Sequence, residues 1–206
     1  MHFNRMIKNN RLILLIVFFH TLGSCAPKLT FTEIEKRINS HYIAFNENDI
    51  EYEFNNKPVI YLKEYGEEGI RENLQEVYQL RATRKYPIFF DNIGDLKIQD
   101  INKCKSTYFY KVTYIIDKSQ MTPYLDSTAL ERNYKSYGED NVSFNPYSKI
   151  LETRMTKENI LVFDKDKVWK LLDFTDFDEQ LYDRFFGKGF SKCLKTKVKE
   201  ANYLPY

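Results

Sequence analysis

Glycine is scarce: there are 7 in 206 residues, with no internal repeat and no low-complexity tract. That excludes a glycine-rich phosphate loop and a Gly-x-Ser-x-Gly nucleophile elbow. It also argues against disorder beyond a short tether and one loop. Histidine is scarcer still. Two of the three fall in the first 24 residues, which leaves His41 as the single imidazole behind them. There is no Cys-x-x-Cys pair, so no zinc set can be assembled. Asp164-Lys165-Asp166 is without the glycine and following glutamate of a calcium loop. No metal and no cofactor is therefore expected. An excess of one charge is missing as well. Removing Arg5, Lys8 and Arg11 with the first 24 residues takes Lys+Arg from 31 to 28, against 29 Asp+Glu, for a net of −1. Nothing in that balance calls for nucleic acid.

What is there begins with a leader. Arg5, Lys8 and Arg11 precede the apolar run Leu12–Phe19, and His20 closes it. The run is too short for a membrane span, which takes roughly 20 residues. A basic segment, a short apolar segment and small residues before a cut describe a secretory signal peptide over 1–24.

Leu22-Gly23-Ser24-Cys25 is an aliphatic residue, two small residues and a cysteine. It resembles the lipobox of bacterial lipoproteins. The resemblance implies cleavage between Ser24 and Cys25, a diacylglyceryl thioether on Cys25 and acylation of the new amino group. The expected localisation is the bacterial cell envelope, lipid-anchored, with the bilayer as one partner. Ala26 stands where an aspartate would resemble an inner-membrane retention signal, which favours the outer membrane. Residues 25–29 form the tether.

About 180 residues follow, enough for one domain with a sizeable core. Thr32-Glu33-Ile34-Glu35 reads as a capping box. Phe31, Ile34, Ile38, Tyr42 and Phe45 then recur at helical spacing, so a first helix is expected to end near Asn46. From Asn48 to Tyr65 the pattern is open. Ile50, Tyr52 and Phe54 alternate as in a strand, whereas Pro58 is a residue that opens short helices. Glu67 to Arg84 is a second helix, stopped by Pro87. Beyond it the period changes to two. A turn is expected at Asp91–Gly94, a strand near 95–102, and a central strand over Tyr108–Ile116, where Tyr108, Tyr110, Val112, Tyr114 and Ile116 alternate. A long loop with a short helix at 128–134 is expected over 118–147. Strands at 149–155, 160–163 and 167–174 complete the sheet, with a hairpin turn at Asp164–Lys167. Asp176 with Glu179 should cap a helix carrying Phe177, Leu181, Phe185 and Phe186, ended by Gly187 and followed by a basic tail.

The order is α+β: N-terminal helices on a curved antiparallel sheet of about four strands over 30–175, with a C-terminal helical extension over 176–206. Lys57-Pro58-Val59, Gly66-Glu67-Glu68-Gly69-Ile70, the strand Tyr108–Ile116 and Val168-Trp169-Lys170-Leu171-Leu172-Asp173 occur in an order similar to that of the nuclear-transport-factor-2-like, or cystatin-like, superfamily. That resemblance implies a cone of helix and sheet around an apolar pocket, and the superfamily contains both enzymes and binding modules. The pocket candidates are His41, Tyr108, Tyr110, Trp169 and Asp173. Cys104 and Cys193 either form a disulfide or stand as separate thiols in apolar surroundings. Three functions stay open. One is a non-catalytic envelope lipoprotein that binds a small apolar ligand or an envelope protein through its pocket or sheet. The second is a pocket isomerase or hydrolase using His41 or Asp173. The third is a structural or assembly subunit.

Overall fold

The computed structural model describes residues 27–83, 87–174 and 178–200. The signal segment, the cleavage pair Ser24 and Cys25, and the expected cap Asp176 with Phe177 lie outside the described residues. Among the described residues no helix is long and apolar enough to cross a membrane.

The first helix, α1, spans Phe31–Glu47. Its capping box uses Thr30 and Glu33, not the Thr32 and Glu35 that the sequence spacing predicts. Thr30 Oγ1 accepts the Glu33 N–H at 3.2 Å, and Glu33 Oε2 accepts the Thr30 N–H at 2.7 Å. The register is decided by the apolar residues on either side. Leu29 precedes the cap and Ile34 lies four positions beyond it; both are in the same core cluster, as a hydrophobic staple requires. The other register would have set Phe31 against Lys36. Ile34, Ile38 and Tyr42 are buried along one stripe. Each isoleucine so buried contributes about 1.5–3 kcal/mol.

The open stretch after α1 is helical. Asp49 caps α2 (Ile50–Asn55), and α3 (Val59–Tyr65) follows Pro58. Helix α4 is Glu67–Ala82. The strand-like alternation at Ile50, Tyr52 and Phe54 is overridden because Asp49 accepts the Tyr52 N–H at 3.0 Å and starts a turn.

The strands form one curled antiparallel sheet. They are β1 (Ile88–Ile98), β2 (Asn102–Cys104), β3 (Thr107–Met121), β4 (Val142–Asn145), β5 (Ile150–Phe163) and β6 (Trp169–Asp173). The main path is β1-β3-β5-β4, with β2 beside β3 and β6 beside β5. Three of the expected features differ in the structure. The turn at Asp91–Gly94 is a pair of register shifts inside β1, with Asn92 at φ 49° and Asp95 at φ 47°. These bulges kink an edge strand that would otherwise be a flat template for pairing. The 118–147 region is not one loop: β3 runs on to Met121, α5 is Ser127–Tyr137, and a short 3₁₀ turn leads into β4. The segments 149–155 and 160–163 are one strand, β5, paired to β3 without a break.

The two faces of the sheet have separate cores. Tyr110, Val112, Tyr114, Ile116 and Leu161 meet α1. Phe109, Ile160 and Val162 meet α6 (Glu179–Phe186) and α7 (Phe190–Glu200). The cap of α6 is Asp178, which accepts the Gln180 and Leu181 N–H groups. The lysine-rich tail is helix α7, with Phe190 and Leu194 fully buried. Cys193 of α7 is disulfide-bonded to Cys104 of β2, Cα to Cα 5.8 Å.

Candidate functional site

Most of the sequence-derived pocket residues belong to one layer, the space between α1 and the sheet, but they divide into two groups. Tyr110 and Trp169 are packing residues. Their ring centroids are 5.2 Å apart, Phe163 stands 5.2 Å from Trp169, and Tyr110 and Trp169 are 0% and 4% exposed. The Tyr110 hydroxyl accepts the Leu29 N–H at 2.9 Å, so it pins the start of the domain. Tyr108 sits at the outer end of β3, half-buried, with the Lys103 ammonium 4.7 Å from its ring centre.

The second group is polar. Tyr42 and Tyr114 share a hydrogen bond of 2.9 Å between their hydroxyls, and Tyr114 donates to Asn159 Oδ1 at 2.7 Å. Asn159 of β5 lies opposite Asp173 of β6. Asp173 in turn faces the Lys157 ammonium at 3.6 Å, where the cluster reaches solvent. Burial pushes the Tyr42 phenol up to about 12, and raises Tyr114 further, with the Tyr42 hydroxyl and the Asp173 charge adding to the effect. Both phenols stay protonated at neutral pH, so neither is a base. They are hydrogen-bonding links that fasten α1 to the sheet.

His41 neighbours Tyr42 and stands near Glu53 and Tyr52 of α2, with its ring centroid 6.2 Å from that of Tyr52. Its Nδ1 is 3.9 Å from Glu53 Oε1, beyond hydrogen-bonding range, and is buried without a partner. Burial lowers its pKa. Lys57 and Arg81 act in the same direction, and Glu53 and Asp173 oppose them. His41 and Asp173 thus lie within electrostatic reach of each other, but the cation facing Asp173 is Lys157 and the carboxylate facing His41 is Glu53. The lowered pKa has a stability consequence. Below about pH 6.5 the unfolded chain takes up a proton that folded His41 resists, so stability is full above that value and is lost as the pH falls. Urea unfolding midpoints taken near pH 7 and near pH 5 should drop with acid, and His41→Gln should flatten the drop. An unchanged slope in the variant would remove His41 as the cause.

Hollows are found away from this cluster. One of about 290 Å³ is lined by Asp91, Asp117, Asp140, Glu152 and Arg154 among others, and another of about 290 Å³ lies between α3 and α4. Among the described residues no group of three or more His, Cys, Asp or Glu side chains is placed to hold a metal ion.

The surface feature that sequence reasoning missed is at the far end of the sheet. Tyr124 and Tyr147 are 89% and 96% exposed, and Met121 is exposed beside them. Met121 pairs with Ile150, and the Thr122 N–H donates to the Lys149 carbonyl at 2.6 Å, which draws the two loops together. The turn under Tyr147 is held by Asn145 Oδ1, which accepts from the Tyr147 and Ser148 N–H groups. The sequence signal was available: Asn145-Pro146-Tyr147-Ser148 is a turn composition with an aromatic at its tip. No protein-family model, curated protein or solved structure matches this chain.

Proposed function

We propose that this chain is an envelope lipoprotein, held to the bilayer by acylated Cys25, which binds an envelope protein through the far end of its sheet and catalyses no reaction. The anchor rests on Leu22-Gly23-Ser24-Cys25 behind a basic and apolar leader. The cone-like, nuclear-transport-factor-2-like reading is kept as part of the proposal; a helix lying against a curled sheet supports it. A protein partner is favoured over a small apolar ligand because Tyr110 and Trp169 fill the space where such a ligand would enter.

The observation that carries the reading is the placement of the exposed aromatics. Leu29, four residues after Cys25, is pinned at Tyr110 near the start of β3, whereas Tyr147 and Tyr124 lie beyond its last residue, Met121. Tyr110 and Met121 are eleven steps apart along the strand, about 36 Å at 3.3 Å per residue. Tyrosine held out on tight turns gives large contact area at low entropic cost. The test is cross-linking in intact cells with a photoreactive side chain at position 124, 147 or 97. Positions 124 and 147 are expected to give one adduct of the same mass, and position 97, on the exposed side of β1, none. Adducts absent from both loops, or equal from all three positions, would overturn the reading.

A further inference from the structure

We infer that the end of the sheet nearest the anchor is a cationic face that lies on anionic lipid headgroups and sets the orientation of the whole domain on the membrane. The inference rests on the anchored reading above for its geometry, and on charge placement for its substance.

Tyr108 of β3 is paired with Phe163 of β5, so the β2–β3 turn and the β5–β6 turn leave the sheet side by side. The first turn carries Lys105, next to Lys103, and the second carries Lys165 and Lys167; all four are exposed. The α6–α7 junction joins them, since the Lys105 ammonium donates to the Lys188 carbonyl, and Lys188 is exposed too. Val168, 44% exposed, follows Lys167 where the second turn closes. The domain starts at the same end. Leu29 is buried and bonded to Tyr110, and Lys28 is exposed 3.5 Å from Asp100. From Cys25 to Leu29 there are four steps, about 14 Å at full extension. An anchor on Cys25 therefore holds this end, and no other, within reach of the headgroups.

The acids of these turns, and Asp100 beside Lys28, are already engaged. Asp100 faces Lys28, and Asp166 faces Lys170 at 2.8 Å. Asp164 is buried, accepting from the Val59 and Lys165 N–H groups. Asp183 accepts from Gly189 and Ser191. The lysines are left to define the surface. The opposite end mixes the exposed acids Asp91, Glu139 and Asp140 with exposed Lys135, Lys149 and Arg154, so its charges are of both signs. A lysine close to an anionic bilayer contributes about fivefold in affinity, and the effect dies away within a Debye length of about 8 Å. Charge complementarity and tether length together point to lipid and not to a soluble partner.

The test uses the full, natively processed chain reconstituted into vesicles of phosphatidylcholine alone, or of phosphatidylcholine with phosphatidylglycerol. A membrane-impermeant amine-acylating reagent is added, and the labelling rate of each lysine is read by peptide mass spectrometry. On the anionic vesicles Lys103, Lys105, Lys165 and Lys167 are expected to be labelled several-fold more slowly than Lys135 and Lys149 at the far end. The difference should disappear on neutral vesicles and at high salt. Even labelling on anionic vesicles, or slowing at Lys135 and Lys149 instead, overturns the inference. Flotation of the same samples separates this failure from failure of the anchor. A chain that floats with both kinds of vesicle but is labelled evenly keeps its lipid and loses the cationic face. A chain that floats only with anionic vesicles, with the four lysines protected, keeps the face and loses the lipid. Protection of those lysines by a soluble polyanion but not by anionic vesicles would reassign the face and sink the lipid assignment.

Discussion

Cys25→Ser is expected to empty the membrane fraction of the mature protein. Lipid attachment needs a sulfur nucleophile; a hydroxyl at the same place is no substitute at neutral pH, because its proton is held far more tightly than that of a thiol. One acyl chain gives only marginal, reversible binding, whereas two or more, at about 0.8 kcal/mol for each buried methylene, hold a protein firmly. No helix among the described residues can take over the task. The change should therefore exceed a hundredfold in the ratio of mature protein in membrane to mature protein in solution, on the order expected from losing at least two chains. Any serine variant that still pellets should do so at the mass of the uncleaved precursor. The measurement is fractionation with intact-mass analysis. Wild-type chain should begin at an acylated Cys25. A serine variant that pellets at the wild-type mature mass would end the lipoprotein reading.

Replacing both Cys104 and Cys193 by alanine is expected to cost about 4–5 kcal/mol of folding free energy, given the length of chain that the bond closes. The two residues are 89 positions apart, and between them lie β3 to β6 with α5 and α6. Cys104 is fully buried beside Phe109 and Phe190, so alanine avoids placing a hydroxyl there. The bond holds α7 against the edge formed by β2, where Gln99 also donates to the Val198 carbonyl at 3.1 Å. Urea unfolding should show the loss in the variant. Wild-type protein under reductant should lose a similar amount, and the double variant should not respond to reductant. A loss below about 1 kcal/mol would mean that α7 is held by its apolar face alone.

Several elements were legible because the physics behind them is local. Ile34, Ile38 and Tyr42 mark α1 at helical spacing, and the alternation from Tyr108 to Ile116 marks β3, since side-chain direction repeats within one turn or one pair of residues. The capping register of α1 was legible as well, from Leu29 and Ile34, although the overlapping box at Thr32 and Glu35 hid it. Other features left no such mark. Asn56 bonds both the N–H and the carbonyl of Leu171, at 2.9 Å and 2.6 Å, and so supplies β6 with the neighbour that its edge is missing. Asn46 does the same for Phe90 on β1, at 3.0 Å and 2.8 Å. Neither asparagine differs in sequence from one that merely ends a helix. Their partners are 115 and 44 residues away.

The sequence by itself determined the α+β class, the two long N-terminal helices, the central strand and the hairpin at Asp164–Lys167. Each of these depends on residues within a few positions of one another. Only the tertiary structure decided that Tyr110 and Trp169 fill a core, that His41 faces Glu53, that Cys104 meets Cys193, and that lysines from three separate turns gather at the end where Leu29 is bonded to Tyr110. These outcomes depend on which distant segments pack together, and packing is settled by the shape and charge of the whole molecule at once.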